Sequence, residues 1–169
     1  YKIKYLQLHL SDDQAFVFPT DSFPNLPTPD RPYTKKDFVE LVEYAKIRGV
    51  TIVPEIDVPG HSRQFIETYP KIFDVDNGIK KSNVINIANE NVYNALDQII
   101  GEVAEVFYNS PFIHMGADEA KLNLYNKVTE VDSFMKKNKL GDDIHELYRY
   151  FIVRINEIVK KYDKQMLVW

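Results

Sequence analysis

The sequence predicts an α/β fold built on a parallel β-sheet. Apolar segments of strand length alternate with amphipathic helical segments, in the order strand, helix, strand, helix, strand, helix, strand, and helical crossovers typically join parallel strands. Three of the four predicted strands end in a cluster of Asp, Glu, His or Gln, which is where parallel sheets carry their functional residues. Because a closed eight-stranded barrel takes roughly 250 residues, four strands in 169 residues indicate about half of a (β/α)8 barrel.

The first predicted strand covers residues 1–10, a nearly apolar run that ends at the polar residues 11–14. The following segment, residues 18–32, contains prolines at positions 19, 24, 27, 29 and 32. Because proline lacks the backbone donor that a helix or a central strand needs, this segment is predicted to be a long ordered loop or a flap.

The next part of the chain contains a predicted helix and a short predicted strand. Thr34 begins a variant of the capping box, and apolar residues at three- and four-residue spacing continue until Gly49 ends the helix. The β-branched run 50–53 predicts a strand, and residues 54–61 are predicted to form its polar exit.

A second predicted helix begins at Asn89 or Asn91 and is broken before Pro111. Residues 112–115 then predict a third strand, which ends at residues 116–119.

A last apolar stripe over residues 144–162 predicts a helix, and residues 165–169 predict the start of a fourth strand. His145 lies at the start of this helix and is assigned no role. The predicted strands are apolar on both faces, so we expect them to be buried like other parallel strands. Both ends of the chain fall inside or against a strand, whereas domains usually begin and end in polar segments. We therefore expect residues 1–169 to be a single partial domain, excised from a larger barrel.

The composition excludes several classes of function. Hydrophobic residues make up 44% of the chain, which suffices for a packed core and excludes a disordered protein. The net charge is −4, and no basic block is long enough to follow a phosphate backbone, so nucleic acid is not expected as a partner. No run of about 18 apolar residues is present, so no membrane partner is expected. The absence of cysteine excludes disulfides and a cysteine nucleophile, and leaves the compartment open.

The strongest candidate for a chemical site is the pair Asp118 and Glu119, at the end of the third strand. The small residues Gly116 and Ala117 precede the pair and let a ligand approach the backbone. Two acids confined together repel each other, which is how proteins hold one carboxyl group protonated as a general acid near neutral pH. The other acid would then orient the substrate. The alternative interpretation is that both acids cap the following helix.

Two weaker clusters follow the other strands. Residues 54–61 place Glu55, Asp57 and His61 around a turn that proline and glycine fix, and the alternative is that these side chains cap the next helix. The sequence His-Leu-Ser-Asp-Asp-Gln at residues 9–14 gains weight only from its position, because Ser-Asp-Asp is also common in turns.

A metal site is the main chemical alternative. The sequence offers suitable ligand types at three strand ends: His9, Asp12, Asp13, His61, His114, Asp118 and Glu119. However, no closely paired histidines and no His-Glu-x-x-His sequence occur, so separate loops would have to supply the ligands. Neither a metal nor another cofactor is therefore predicted.

Three of these sequences together resemble the catalytic barrel of glycoside hydrolase family 20, the β-N-acetylhexosaminidases. The family pattern His-x-x-Asp-Asp-Gln after strand two matches residues 9–14, and Pro-Glu-Ile-Asp-x-Pro-Gly-His after strand three matches residues 54–61. The strand-four signature His-x-Gly-Gly-Asp-Glu resembles residues 114–119. The three motifs occur in the family's order, and the resemblance spans essentially the whole chain, which would run from strand two to strand five of the barrel.

The resemblance implies retaining hydrolysis of terminal β-linked N-acetylglucosamine or N-acetylgalactosamine, in which the substrate's own acetamido oxygen is the nucleophile. It implies that Glu119 is the general acid and then the base, and that Asp118 orients the acetamido group and stabilises the charge of the intermediate. It implies an acetamido pocket walled by Trp169. The supporting or substrate-binding residues that it implies are Asp12, Asp57, His61, His114 and Trp169.

The chain departs from the family pattern at two places. Ala117 replaces the second Gly of the strand-four motif, and we expect the added methyl group near the sugar to be tolerated. Ala15 and Phe16 replace a frequent Gly-Trp pair, so the loop after strand two would line a different aglycone site. The family's sugar-binding arginine and further pocket residues would lie outside residues 1–169.

We therefore expect the parent protein to act on β-N-acetylhexosaminide glycans or glycoconjugates, and the 169-residue chain alone to be inactive. An open half-barrel exposes strand edges, through which copies of the chain are expected to associate. The alternatives are a noncatalytic carbohydrate-binding barrel, which the intact acid pair disfavours, and a metal-dependent hydrolase. The sequence leaves open the gluco or galacto preference, the leaving group and the localisation.

Overall fold

The computed structural model describes residues 2–30, 33–75 and 82–169. Within these residues, the main sheet has four parallel strands and a short antiparallel hairpin follows its first strand. The strands are β1 (Tyr5–His9), β2 (Ser11–Asp12), β3 (Ala15–Phe16), β4 (Thr51–Val58), β5 (Phe112–Gly116) and β6 (Gln165–Leu167). The main sheet has the order β1-β4-β5-β6, and β2 pairs with β3. This arrangement confirms the predicted α/β fold with a parallel sheet and crossover helices.

Along the sequence, the helices alternate with the strands of the main sheet. They are α1 (Lys35–Lys46), α2 (Arg63–Thr68), α3 (Pro70–Phe73), α4 (Glu90–Val106), α5 (Thr129–Lys137) and α6 (Ile144–Lys161), with a 3₁₀ turn at Leu122–Tyr125. The central helix α4 packs against both α1 and α6. In the part of the chain that the structure describes, no helix is long and apolar enough to cross a bilayer.

The caps of the long helices agree with the sequence prediction. At the start of α1 the Thr34 hydroxyl accepts from the Asp37 N–H, and the Asp37 carboxylate accepts from the Thr34 N–H. Asn89, rather than Asn91, caps α4. The short elements α2, α3 and the β2–β3 hairpin were not predicted, because each has at most six residues and an apolar period does not repeat over that length. Helix α5 was not predicted either, although its buried residues have the spacing of a helix: Val131, Phe134 and Met135.

Strand β4 is longer than predicted, and this corrects the interpretation of residues 54–61 as a polar exit. The strand continues through Pro54 to Val58, and His9 of β1 lies opposite Glu55. Residues two apart in a strand face the same side. Glu55 and Asp57 therefore belong to a central strand, not to a turn, and their carboxylate oxygens lie within 4.8 Å of each other although the register with β5 shifts between Glu55 and Val58.

Within residues 1–169, the prediction that all four strands are buried does not hold for the two outer strands. Strand β4 is buried from Ile52 to Val58, whereas Tyr5 and Leu6 of β1 are 52% and 48% exposed. Strands β1 and β6 form the edges of the described sheet. An apolar edge strand has the composition of a buried one, so the two are not distinguished by composition.

The proline-rich segment is an ordered loop, as predicted, over residues 18–30; Pro32 lies outside the described residues. Phe18, Phe23 and Leu26 are buried in the core. Their side chains anchor the segment although it has no regular secondary structure.

The carboxylate of Glu102 in α4 also holds this loop in place. The Glu102 carboxylate accepts hydrogen bonds from the Thr20 hydroxyl and from the N–H groups of Asp21 and Ser22, at 2.7–2.9 Å. The Lys35 ammonium lies 2.9 Å from it. Burial opposes ionisation, but these donors and the cation outweigh it and lower the pKa of Glu102 from 4.5 to about 2. Because the folded pKa lies below the unfolded one, the contribution is present above pH 4.5 and is lost as the pH falls toward 2.

We expect Glu102→Gln to lower the free energy of unfolding by about 2–3 kcal/mol at pH 7, because the amide loses the ion pair and one acceptor oxygen. The matched control is Glu105→Gln, which removes the same charge from an exposed position of the same helix and should cost less than about 0.5 kcal/mol. Urea unfolding at pH 7 and pH 3 measures both. Equal stabilities of the two variants at pH 7 would contradict this role of Glu102.

Candidate active site

The carboxyl ends of the strands bring the predicted site residues together. Asp12 lies in the hairpin that follows β1, and Asp57 lies in β4. His61 follows β4, and Asp118 and Glu119 follow β5. His114 lies within β5 and Trp169 follows β6. The residues form two hydrogen-bonded groups, one around His61 and one around the buried carboxylate of Glu55.

The acid loop, residues 116–119, has an unusual backbone. Gly116, Ala117 and Glu119 have φ angles of 64°, 72° and 50°, in the left-handed region that costs non-glycine residues roughly 1–2 kcal/mol each. The Tyr148 hydroxyl of α6 donates a hydrogen bond to the carbonyl of Ala117. The loop is therefore strained and is held from α6.

The helix-capping interpretation of the acid pair is wrong. The next helical segment is the 3₁₀ turn at Leu122–Tyr125, which follows Lys121 and has no side-chain cap. The side chains of Asp118 and Glu119 are therefore not used to end or begin a helix.

His61 lies between two carboxylates. Its Nδ1 is 3.3 Å from Asp12 Oδ1, and its Nε2 is 3.4 Å from Glu119 Oε2. Burial lowers the pKa of His61, but the charges of Asp57 and Asp12 outweigh burial and raise it. The Glu119 side chain is 76% exposed, so it faces solvent where a substrate would enter. His61 itself does not cap α2, because the N–H of Arg63 donates instead to Asp13 Oδ1, at 3.2 Å.

His9 continues this chain of contacts into the interior. Its Nε2 is 3.2 Å from Asp12 Oδ2 and its Nδ1 is 3.0 Å from Glu55 Oε2. Burial opposes its charge, but the hydrogen bonds and charges of Glu55 and Asp12 raise the pKa of His9. Partial burial of Asp12 is likewise outweighed by the hydrogen bonds from Asp13 N–H and His9, which lower the pKa of Asp12. Carboxylates and imidazoles therefore alternate from Glu55 to Glu119.

Glu55 and His9 belong to the two weaker clusters of the sequence analysis, which assigned no role to either residue. The Glu55 side chain is only 2% exposed, and its carboxylate accepts from Gln7 Nε2 at 2.7 Å and from Trp169 Nε1 at 3.1 Å. Burial is outweighed by the hydrogen bonds from Gln7 and His9, which lower the pKa of Glu55. The available signal was the i, i+2 spacing of Glu55 and Asp57, which places both on one face if the strand continues.

Asp57 is the acid with the least compensation. It is buried, and its Oδ1 has no hydrogen-bond partner among the described residues; the same holds for Oδ1 of Asp118. Burial raises the pKa of Asp57 to about 7, with Asp118 and Glu55 adding to the effect and His61 opposing it. The pKa of Asp57 therefore lies close to neutral pH, far above that of an exposed aspartate.

Trp169 lies beside the end of β5. Its backbone N–H donates to the carbonyl of Gly116 at 3.0 Å, and its ring centroid is 4.8 Å from that of His114. The indole is 68% exposed. A separate groove of about 480 Å³ lies between β1 and α1. Its lining includes neither Asp118 nor Glu119, so we place the candidate site at the acid loop and not in this groove.

The fold also gathers possible metal ligands from separate loops. In the described residues, three sets have ligand atoms within 4.8 Å of one another: His9, Glu55 and Asp57; Asp12, Asp13 and His61; and Asp57, His61 and Asp118. Contacts with carboxylates, at 3.0–3.4 Å, already occupy the ring nitrogens of His9 and His61. A metal ion would therefore have to displace these contacts.

Comparison with known proteins identifies one family. The family model for "Glycosyl hydrolase family 20, catalytic domain" matches residues 1–169. The β-hexosaminidase subunit beta of Felis catus is 30% identical over 99% of this chain and 33% of its own length. For the human subunit beta the values are 28%, 99% and 32%. The chain thus spans about a third of the length of these relatives.

Solved structures agree with this result. The exo-β-N-acetylglucosaminidase of Vibrio harveyi in complex with N-acetylglucosamine matches with a TM-score of 0.90 at 28% identity, over 100% of this chain and 31% of that one. The chitobiase of Flavobacterium johnsoniae matches with a TM-score of 0.86 at 31% identity, over 98% and 26%. The likeness confirms the predicted partial (β/α)8 barrel.

Gly116 provides a test of the packing beneath the acid loop. A Cβ atom on Gly116 would lie 1.8 Å from Asp57 Oδ1, whereas a Cβ atom on Gly49 would meet nothing within 4 Å. Both glycines have positive φ, 64° and 70°, so Gly49→Ala is a control for backbone strain alone. We expect Gly49→Ala to cost about 1 kcal/mol and Gly116→Ala at least about 2 kcal/mol more.

Chemical denaturation of both variants measures the difference. Equal losses of stability would show that the Asp57 carboxyl does not pack against Gly116.

Proposed function

The chain belongs to the catalytic-domain family of glycosyl hydrolase family 20, and from this membership we propose that the protein hydrolyses terminal β-linked N-acetylhexosamine residues. The observation that carries the proposal is the acid loop at the end of β5. It places the exposed Glu119 carboxyl 3.4 Å from His61, beside an Asp118 whose Oδ1 is buried and unpartnered among the described residues. Glu119 is thus accessible to a leaving oxygen, and Asp118 beside it keeps an acceptor oxygen that no donor of the described residues satisfies.

In the proposed reaction, Glu119 protonates the glycosidic oxygen as the bond from the anomeric carbon to that oxygen breaks. The acetamido oxygen of the substrate attacks the anomeric carbon and forms a cyclic oxazolinium-like intermediate. Glu119 then takes a proton from water, which attacks the same carbon and restores the acetamide with retained configuration. His61 orients Glu119 and, through Asp12, compensates the change of charge on it.

Asp118 acts on the acetamido group in this proposal. Its carboxylate accepts from the acetamido N–H and stabilises the positive charge that develops on the ring. Asp57 beneath it has a pKa raised by burial to about 7, so in its protonated form it adds no second negative charge. Asp57 and His114 support the strand ends, and Trp169 forms the apolar wall for the acetamido methyl group.

Hydrolysis of two matched chromogenic substrates tests the proposal on the protein at its natural length. We expect cleavage of the β-N-acetylglucosaminide but not of the β-glucoside, because only the former carries the nucleophile. Asp118→Asn and Glu119→Gln should each lower kcat by at least about 100-fold. The control Asp142→Asn removes one charge from an exposed position before α6 and should leave kcat unchanged.

The same experiment separates the alternatives. Equal cleavage of both substrates would contradict acetamido participation, and cleavage of neither, with sugar binding unaffected by Glu119→Gln, would indicate a binding module. Loss of activity on thorough chelation would indicate a metal-dependent hydrolase.

We also propose that the 169-residue chain alone is inactive and self-associates. Edge strands β1 and β6 expose apolar side chains, among them Leu6 at 48% and Leu167 at 37%, and such edges pair with other chains.

Sedimentation velocity should therefore show concentration-dependent association of the 169-residue chain. Leu6→Lys, at the β1 edge, should weaken it more than Val153→Lys, which places the same charge at a 52% exposed position of α6. A monomer at high concentration would refute the proposal.

A further inference from the structure

The two oxygens of the Glu55 carboxylate serve different parts of the site. Oε1 accepts from the indole Nε1 of Trp169 at 3.1 Å. Oε2 accepts from Gln7 Nε2 at 2.7 Å and is 3.0 Å from His9 Nδ1. Burying a carboxylate this deeply costs free energy unless hydrogen-bond donors compensate its charge. Because breaking any of these contacts would restore that cost, the donors stay in place.

His114 does not compete with Trp169 for Oε1, although its Nδ1 is 3.4 Å from that atom. This nitrogen accepts a hydrogen bond from the N–H of Gly116 at 3.1 Å, so it carries no proton to donate. Burial, which outweighs the opposing charges of Glu55 and Asp118, lowers the pKa of His114 and favours this neutral form. Among the described residues, the indole N–H is therefore the donor to Oε1.

Within residues 1–169, packing leaves much of Trp169 uncovered. The residue is 68% exposed, and its backbone N–H bond to Gly116 fixes the main chain rather than the side-chain torsions. The tilted contact with the His114 ring, at an interplanar angle of 58°, covers only part of one face. Among the described residues, the hydrogen bond to Glu55 is the directional contact that orients the ring.

We propose that Glu55 is a positioning residue that fixes the indole of Trp169 as a wall of the acetamido pocket and thereby sets the selectivity for the N-acyl group. The inference rests on the proposed function, in which Trp169 borders that group. A wall that is held in one orientation rejects a longer acyl chain, whereas a wall free to rotate admits it. Selectivity between acyl groups that differ by methylene units depends on such packing.

Glu55→Gln is a selective test because of its donor count. The amide has one acceptor oxygen and one NH₂ group, and donors face both sides of the present carboxylate. Turning the NH₂ group toward Trp169 leaves the neutral indole N–H without an acceptor. Turning it toward Gln7 and His9 leaves His9 without an acceptor even if the Gln7 amide flips to present its oxygen, and His9 is the stronger donor because the Asp12 carboxylate favours its charged form. The amide is therefore expected to keep the Gln7 and His9 contacts and to break the Trp169 contact.

The experiment compares kcat/KM for chromogenic β-glucosaminides carrying N-acetyl or N-butyryl groups, with the protein at its natural length. We expect Glu55→Gln to lower the N-acetyl preference by about 10-fold. The control is Glu102→Gln, which also replaces a buried, multiply hydrogen-bonded carboxylate but lies away from the site. This control should reduce stability and leave the preference unchanged.

A double-mutant cycle identifies the route of the effect. In the Trp169→Phe background the indole N–H is absent, so adding Glu55→Gln should change the acyl preference by less than about twofold. An equal change in both backgrounds, or an unchanged preference in Glu55→Gln alone, would overturn the inference.

Fluorescence keeps the inference testable if the protein cleaves neither substrate and the proposed function fails. The emission of Trp169 is obtained as the difference between the protein and its Trp169→Phe variant. Acrylamide quenching of this emission should rise in Glu55→Gln, by at most about 1.5-fold because Trp169 is already 68% exposed. Unchanged quenching would overturn the inference independently of activity.

Discussion

The alternation of negative and positive groups from Glu55 through His9, Asp12 and His61 to Glu119 is the interaction on which the rest of the site depends. Removing even one carboxylate from water costs several kcal/mol, and this end of the sheet holds several. Each histidine lies between two acids, so each charge is compensated on both sides. The exception is Asp57, which lacks such a partner and instead takes up a proton near neutral pH. The cost of crowding acids is thus offset by the imidazoles of His9 and His61, whose pKa values the acids raise, and by the raised pKa of Asp57.

The close approach of β4 and β5 determines where this chain of groups can lie. Gly116 leaves the space that the Asp57 carboxyl fills, and the parallel register places His9 opposite Glu55. The left-handed backbone at Gly116, Ala117 and Glu119 then turns the Glu119 side chain away from the sheet toward solvent. A buried, charge-balanced set of side chains therefore supports the exposed acid Glu119. The buried set and this acid are separated by little more than the end of one strand.

Much of the fold could be predicted from the sequence, since caps such as Thr34 and Asn89 and the apolar stripes of the long helices are local signals. The acid loop was also found, because adjacent acids after an apolar run are conspicuous. The extension of β4 was missed because Pro54 was interpreted as the end of the strand. The exposure of β1 and the contact of His9 with Glu55 depend on strand order and register, which arise only when segments distant in sequence pair. The role of Glu55 could not be predicted for the same reason.

Helix α6 is attached to both sides of the candidate site. Near its start, Tyr148 donates to the carbonyl of Ala117 in the acid loop, and after its end the chain runs through β6 to Trp169. At that end, the Tyr162 hydroxyl is tied to Asp97 of α4. Thermal displacements of this helix would therefore carry the acid loop and the indole together, as one body. The distance between the acid loop and the indole would then vary less than the distance of either one from the outer strand β1.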